Sequence, residues 1–279
     1  MILSTKQQFV DCLSLDENSR YIAKYNDLTL TSVFQAIYDG ADHMIGLEAL
    51  VRIHHDQFGS IRPDKFFHSQ NFSQEDRLNV ERLSRVIHIR NFCRSEYRHL
   101  HLFLNVLPSA GETFALENID SMLLSQRIEA LHLKTSQIVM EVVEFDANNE
   151  DRLTKAIHNL SQCDFKIAVD DFGINASTSE RVMRLQPNII KLDRSLLLAY
   201  MKGSHEPLKI GLTLAKKIGA QVVVEGIETT EQLSTMRQLG VDFYQGYFLG
   251  LPQPLNSICH DDITKSSEFG DPSTIYRQA

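Results

Sequence analysis

The spacing of hydrophobic positions changes along the chain near residue 76. Before it, residues 29–38 and 44–53 are rich in β-branched and aromatic side chains, which is typical of β-strands. The turn DGADH between them is too short for a parallel crossover, so the pattern predicts an antiparallel hairpin. After residue 76, segments with helical spacing alternate with short apolar runs, which predicts alternating helices and strands.

The alternating region defines the predicted fold class. Helices are predicted at 76–97, 118–131, 150–163, 179–185, 206–219 and 230–240. Strands are predicted at 101–106, 136–144, 165–171, 188–193, 220–226 and 242–250. From residue 136 onward the strands are continuous apolar runs, as expected for strands buried on both faces. About eight strands with intervening helices predict an α/β fold, a TIM-like (β/α)8 barrel with an irregular antiparallel first hairpin.

The segments that flank the barrel have a different composition. Residues 1–19 are interpreted as a polar N-terminal lead-in with one short helix, residues 20–255 as the barrel domain, and residues 256–279 as a flexible C-terminal tail. Neither flank has room for a second signalling domain, so we expect regulation through a protein partner, dimerisation or expression.

Composition excludes several classes of protein. The net charge of −8 argues against a broad electrostatic nucleic-acid binder, so no DNA partner is expected. The four cysteines contain no CxxC pair, which favours reduced thiols. No apolar run approaches the roughly 18 residues of a membrane span, and the N-terminus lacks the pattern of a signal peptide. A cytoplasmic location is therefore expected.

Polar side chains stand at or near the carboxyl end of most predicted strands, although the strands themselves are apolar. They are Glu48, Asn105, Glu141, Asp170, Asp171, Lys191, Glu225 and Gln245, with Arg52, Glu144, Asp193 and Glu228 nearby. A single acidic residue at such a place is commonly a helix cap or an ion-pair partner. So many of them are not explained as separate caps, and in a barrel these strand ends converge on the face that carries active sites.

Clustered carboxylates repel one another unless cations neutralise them. Carboxylate and amide oxygens without Cys or His suit Mg²⁺ or Mn²⁺ rather than zinc. The adjacent Asp170 and Asp171 could serve two metal ions, with one carboxylate bridging. Two ions about 4 Å apart commonly act in phosphodiester hydrolysis, and Lys191 adds a cation able to hold a water or a phosphate oxygen.

Several segments together resemble one protein family. In chain order they are VFQAI, GLEALVRI, FLNVLP, MEVVE, VDDFG, IIKLDRS, VVVEGIE and QGYFLGLPQP. These segments resemble the signatures of the EAL domain family of cyclic-di-GMP phosphodiesterases, over roughly residues 20 to 255. The resemblance implies hydrolysis of one phosphodiester bond of cyclic di-GMP to give linear pGpG, with Mg²⁺ or Mn²⁺, two ions in all, as cofactor. It also implies a homodimer.

The resemblance also implies roles for individual residues. The ligands of the first ion would be Glu48, Asn105, Glu141 and Asp170. The ligands of the second would be Asp170 and Asp171, assisted by Glu225. Glu225 and Lys191 would orient or activate the attacking water, and Gln245 would support a water on the metal. Gln35 and Arg52 would contact the dinucleotide. Three further residues would support the metal-binding side chains without binding the ions: Glu144, Asp193 and Glu228. Of these, Glu144 would anchor the loop after Asp171.

One loop departs from the family pattern. Residues 174–178 read Ile-Asn-Ala-Ser-Thr, where the family usually has Thr-Gly-Tyr-Ser-Ser. The lost hydroxyl and aromatic partners predict a weaker hold on the second ion. An alternative is therefore a catalytically weak or silent EAL-type module that binds cyclic di-GMP or a protein partner, and a third hypothesis is a barrel enzyme for another phosphodiester. An assay with cyclic di-GMP, with and without metal, distinguishes them.

Overall fold

The computed structural model describes residues 2–106, 121–142, 150–173 and 179–257. The described strands are β1 (Leu13–Leu15), β2 (Tyr21–Tyr25), β3 (Leu28–Asp39), β4 (Met44–His55), β5 (Gly59–Ile61), β6 (His101–Val106), β7 (Ile138–Val142), β8 (Lys166–Phe172), β9 (Ile189–Leu192), β10 (Gln221–Val224) and β11 (Phe243–Tyr244). The described helices are α1 (Lys6–Cys12), α2 (Pro63–His68), α3 (Gln74–Cys93), α4 (Ser121–Ala130), α5 (Glu150–Gln162), α6 (Ser179–Leu185), α7 (Arg194–Met201), α8 (Glu206–Ile218) and α9 (Thr230–Gln238).

Eight of these strands form a closed barrel. Strand β4 is followed in the sheet by β6, β7, β8, β9, β10 and β11, and these neighbours pair in parallel. Strand β3 closes the circle by pairing antiparallel with both β4 and β11. The predicted TIM-like (β/α)8 barrel with an antiparallel first hairpin is thus confirmed.

The apolar runs of the parallel strands are explained by burial on both faces. In β8, Ala168 lies inside the barrel with residues such as Phe103 and Val139, and all three are fully buried. Its neighbours Ile167 and Val169 belong to the larger apolar layer between strands and helices. Because each successive side chain meets either the interior or the helices, none of these positions favours a polar residue.

A second apolar cluster lies beside the barrel. Strands β3 and β4 are 12 residues long and run past the barrel mouth, where β2 pairs with β3, β5 pairs with β4, and β1 pairs with β2. Helix α3 covers this sheet with Val80, Leu83 and Ile87, which pack against Leu30 and Ile53. We call β1, β2, β5, α1–α3 and the outer halves of β3 and β4 the antiparallel extension.

The structure differs from the sequence prediction at both ends of the barrel. Residues 1–19, predicted to be a lead-in, contain strand β1 as well as α1, and buried Leu3 donates its backbone N–H to Asn79 at 2.8 Å. The last strand, predicted at 242–250, is only Phe243–Tyr244. Just after it, Gly246 passes so close to Ile227 that a Cβ would lie 2.1 Å from the backbone oxygen, so this position requires glycine.

Several predictions concern residues outside the described part of the chain. They are the role of Glu144, the loop at 174–178 and most of the tail from residue 258 onward. These stay predictions.

Candidate active site: a carboxylate cluster at the barrel mouth

Parallel strands bring the predicted site residues to one end of the barrel. The contributing residues are Glu48 in β4, Asn105 in β6, Glu141 in β7, Asp170 and Asp171 in β8, Lys191 in β9, Glu225 after β10 and Gln245 after β11. In register, Asn105 lies beside Glu141, and Gln35 of β3 lies beside Glu48. Hydrogen bonds and ion pairs join most of these side chains into one cluster.

Lys191 lies at the centre of the cluster. Its Nζ is 2.6 Å from Oε1 of Glu225 and 2.7 Å from Oε1 of Glu141. The same ammonium is 3.1 Å from Oδ1 of Asp170 and 3.5 Å from Oε2 of Glu48. Lys191 is 1% exposed, so these contacts replace the water that an ammonium group would otherwise bind. Burial lowers the pKa of Lys191, but the four carboxylates outweigh it and hold that pKa well above the usual value.

Two side-chain amides hold Glu48 in place. Asn105 donates from Nδ2 to Oε1 of Glu48 at 3.0 Å, and Gln245 donates from Nε2 to Oε2 at 2.7 Å. Burial raises the pKa of Glu48, but Lys191 and the two amides outweigh it, so the pKa lies below its usual value. Glu48 is therefore fixed as a carboxylate.

A backbone irregularity in β8 brings two consecutive aspartates into one cluster. Successive side chains of a regular strand point to opposite faces. Here Asp171 has φ of 51°, in the left-handed region, and the pairing of β8 with β9 shifts register between Val169 and Phe172. As a result, oxygen atoms of Asp170, Asp171 and Glu225 lie within 4.8 Å of one another.

The cluster carries more negative charge than Lys191 can balance. Glu141 is fully buried, and among the described residues neither of its oxygens accepts a hydrogen bond of good geometry. Burial and the charge of Glu48 raise the pKa of Glu141 well above its usual value. Burial and the charges of Asp170 and Glu48 raise the pKa of Glu225 to about 8, against the opposing effect of Lys191. Clustered carboxylate oxygens beside an amide fit the ligand preference of Mg²⁺ or Mn²⁺.

The remaining predicted residues lie at the edge of the cluster. Gln35 is buried and donates from Nε2 to the backbone oxygen of Gly250 at 3.1 Å. Arg52 is exposed, and Nη1 donates to the backbone oxygen of Val51 at 3.1 Å.

Two predicted supporting residues have local partners. Glu228 is exposed and pairs with Arg194 at 2.7 Å. Asp193 is the N-cap of α7, where its carboxylate accepts the backbone N–H of Ser195 at 2.7 Å. The structure therefore gives Asp193 the helix-capping contact that a single acidic residue at a strand end commonly makes.

Two cavities meet at the cluster, and Glu48, Leu50 and Asp170 line both of them. One, of about 270 Å³, lies between β4, α2 and α3 and reaches Arg52, and we call it the α3 cavity. The other, of about 370 Å³, reaches Gln35 and Tyr247, and we call it the Tyr247 cavity.

The α3 cavity is lined by polar residues that the sequence pattern did not distinguish from other helical positions. They are Glu81, Ser84, Arg85 and His88. Their spacing of three and four residues places them on one helix face, and this was the only signal available.

Comparison with known proteins identifies the family. A family model described as "EAL domain" matches residues 23–252. The chain belongs to the EAL domain family. This confirms the resemblance found in the sequence, and the GLEALVRI segment that carries Glu48 lies inside the matched range.

Several curated relatives carry phosphodiesterase names. The chain is 30% identical over 230 residues to "Probable cyclic di-GMP phosphodiesterase PdeN" of Escherichia coli, covering 80% of this chain and 43% of that protein. It is 28% identical over 218 residues to "Cyclic di-GMP phosphodiesterase RocR" of Pseudomonas aeruginosa, covering 76% of this chain and 54% of that protein. The chain thus spans about half the length of these relatives.

Solved EAL-domain structures share the fold. The Bacillus subtilis YkuI protein, in complex with c-di-GMP and calcium, superposes with a TM-score of 0.70 at 25% identity, covering 85% of this chain and 60% of that chain. Klebsiella pneumoniae BlrP1, in a manganese and c-di-GMP complex, superposes with a TM-score of 0.69 at 27% identity, covering 82% of this chain and 57% of that chain.

Within the described residues of this chain, no helix is both long and apolar enough to cross a membrane.

Proposed function

We propose that this chain hydrolyses one phosphodiester bond of cyclic di-GMP to give linear pGpG, and that it requires Mg²⁺ or Mn²⁺. The observation that carries the proposal is the gathering of five carboxylates and an amide around Lys191 at the barrel mouth. The phosphodiesterase names of its relatives, and the c-di-GMP complexes of its structural neighbours, support the choice of substrate.

The charge of the cluster favours two ions. When all are ionised, the carboxylates of Glu48, Glu141, Asp170, Asp171 and Glu225 leave four negative charges beyond the one that Lys191 balances. Two divalent ions would neutralise these charges and would supply positive charge to the phosphate oxygens. Glu48, Asn105, Glu141 and Asp170 would hold one ion, and Asp170, Asp171 and Glu225 the other.

The protein's own groups then position the reactants. Glu225 and Lys191 are in direct contact, with charged atoms 2.6 Å apart, and both line the Tyr247 cavity, where a water molecule beside this pair would donate to Glu225 and accept from Lys191. In hydrolysis the oxygen of that water bonds to phosphorus, its proton passes to Glu225, and the bond from phosphorus to the 3′ oxygen breaks. The released 3′ oxygen takes up a proton and becomes the 3′ hydroxyl of pGpG.

The two cavities fit a ligand with two equivalent halves. They meet at Glu48 and Asp170, where the scissile phosphate would lie, and beyond these residues they are lined by different elements. Arg52 lines the α3 cavity and Gln35 lines the Tyr247 cavity, so each half of a cyclic dinucleotide would meet one of them. Glu144 and Glu228 would support the side chains that bind the metal ions.

We also infer a homodimer, which sedimentation of the purified chain would test.

A metal-dependence assay tests the proposal. Purified chain should convert cyclic di-GMP to pGpG in Mg²⁺ or Mn²⁺ and should be inactive in EDTA. Calcium should permit binding without turnover, because its longer and more irregular coordination displaces the reacting groups. Full turnover in EDTA after dialysis would contradict the metal requirement. Tight binding of cyclic di-GMP without hydrolysis in any metal would favour the silent-module alternative.

Substitution of Glu48 tests the site itself. Glu48→Ala should reduce kcat by more than a hundredfold while the fold survives, because two amides and Lys191 hold this carboxylate at the centre of the cluster. Glu96→Gln, at an exposed turn after α3, is the control and should leave the rate unchanged. A loss smaller than about tenfold, or ~1.4 kcal/mol, would remove Glu48 from the reaction centre.

A further inference from the structure

Helix α3 presents a charged face to a cavity instead of an apolar one. Glu81, Ser84, Arg85 and His88 all line the α3 cavity, whereas Leu83 and Ile87 on the same helix pack into the apolar cluster of the extension. Charged residues are rarely buried unless paired. The charged face therefore requires an explanation beyond helix packing.

The charges on this face are only partly satisfied. Glu81 is 5% exposed and pairs through Oε1 with Nη2 of Arg85, whose side chain is 12% exposed. Among the described residues, Oε2 of Glu81 and Nε of Arg85 are buried and have no hydrogen-bond partner. Leaving such atoms unpaired is costly, and a buried ion pair alone seldom stabilises a fold. Both residues line the α3 cavity, so its wall contains a polar pair whose hydrogen-bonding capacity is only partly used.

The rest of the cavity combines apolar and polar surface. Phe67 of α2 and Leu104 of β6 supply apolar surface, while Arg52 and the carboxylates of Glu48 and Asp170 line the part nearer the cluster. His88 adds no charge, because burial lowers its pKa to about 3, and its Nδ1 already bonds Oγ of Ser32 at 2.8 Å. The only polar groups left to define the occupant on the α3 side are Glu81, Arg85 and Ser84, as far as the described residues go.

We propose that Glu81 and Arg85 read the edge of a guanine base in the α3 cavity, and so set base specificity on one side of the substrate. Guanine carries donors at N1 and N2 and acceptors at O6 and N7 along one continuous edge. Glu81 would accept from N1–H and N2–H, and the neighbouring guanidinium of Arg85 would donate to O6 and N7. Adenine reverses this pattern, since it has an acceptor at N1 and a donor at N6. The inference rests on the proposed function, since it takes cyclic di-GMP as the ligand.

Base analogues test this reading directly. Dissociation constants in Ca²⁺, and kcat/KM in Mg²⁺ or Mn²⁺, would be measured for cyclic di-GMP, cyclic di-IMP, which lacks only the N2 amino groups, and cyclic di-AMP. The wild-type chain should prefer cyclic di-GMP over cyclic di-IMP by tenfold or more, as expected for one charge-assisted hydrogen bond. In Glu81→Gln this preference should fall to below about threefold.

Matched variants keep the test independent of stability. Arg85→Lys retains the positive charge but loses the planar guanidinium with its paired N–H donors, so it should weaken cyclic di-GMP binding about tenfold. The double variant Glu81→Gln with Arg85→Met removes both charges and avoids an unpaired one. The exposed Glu96→Gln is the control and should keep the wild-type preference. Because the preference is a ratio within one variant, a reduced folded fraction does not alter it.

Three results would overturn the inference. An equal preference in Glu81→Gln and wild type, or no preference in wild type, would refute base reading by Glu81 while the phosphodiesterase activity still stood. Failure of the wild-type chain to bind or cleave cyclic di-GMP would overturn the proposed function, and this inference with it.

Discussion

The parallel strands and the antiparallel extension contribute to the barrel mouth in different ways. Strands β6–β10 are four to seven residues long, almost wholly buried, and each brings one or two polar groups to the cluster at or just after its end. Strands β3 and β4 are 12 residues long and extend past the mouth, and β4 forms a wall of the α3 cavity together with α2 and α3. Converging strand ends concentrate charge at a point, whereas a long hairpin provides the area needed to recognise a ligand.

Lys191 tests the parallel side of this comparison and should give the largest effect. Lys191→Met removes the ammonium that contacts four carboxylates. We expect kcat to fall about a thousandfold, or ~4 kcal/mol, while Mn²⁺ binds more tightly because a competing positive charge is gone. Enzyme assays and titration calorimetry would measure both. Lys209→Met, on the exposed face of α8, is the control. Weaker Mn²⁺ binding in Lys191→Met would show that Lys191 does not compete with the metal.

A substitution at Leu30 tests whether the apolar cluster of the extension contributes to the stability of the fold and not to catalysis. Leu30 is fully buried in the second cluster, so Leu30→Ala should lower the free energy of unfolding by about 3 kcal/mol, with kcat of the folded protein within threefold of wild type. Chemical denaturation and assays at low temperature would check this. Thr29→Ala, the half-buried neighbour, should cost much less. A large loss of kcat at unchanged stability would mean that this layer also positions the site.

Gln245 tests how closely the two regions cooperate. It follows β11 and donates to Glu48 of β4 at 2.7 Å. Gln245→Leu should reduce kcat about thirtyfold, in the range seen when a group that orients a metal ligand is lost. Gln57→Leu, at an exposed turn, should have no effect. Wild-type activity in Gln245→Leu would show that Asn105 and Lys191 suffice to hold Glu48.

His88 should give the smallest effect, visible only in acid. Burial lowers its folded pKa from 6.5 to about 3, with smaller contributions from Arg85 and Arg52. Between these values the unfolded chain binds more protons, so stability falls as pH drops below 6.5. From pH 7 to pH 5 this group alone should cost about 1 to 2 kcal/mol, and His88→Gln should remove that part of the loss. Denaturation curves at both pH values would measure it; identical pH dependence in the variant would contradict it.

Periodicity predicted the parallel strands well because each buries both faces. FKIAVDD at 165–171 closely matches β8 at Lys166–Phe172. The convergence of Glu48, Glu141 and Asp170 followed from the barrel alone. Periodicity could not predict the left-handed φ of Asp171, because a strand pattern carries no signal for a local register shift.

The extension was harder to predict because its short strands carry too few residues to show a periodic pattern and depend on pairing with a neighbouring strand. Strand β1 has three residues, none of them buried, and it exists through its pairing with β2. Glu81 and Arg85 look like any ion pair spaced for an exposed helix face, and only the fold reveals that they are buried at a cavity.

Closure of the barrel has a consequence for how the chain folds. The two residues of β11 pair with Asp39 and Tyr38, and Phe34 exchanges backbone hydrogen bonds with Gln253 at 2.8 and 3.0 Å. These contacts join segments about two hundred residues apart, so their entropic cost is met only after the intervening strands are ordered. During synthesis, a nascent chain that has not yet reached residue 253 leaves one edge of β3 unpaired. That edge is the place where we expect a partly made barrel to need protection from aggregation.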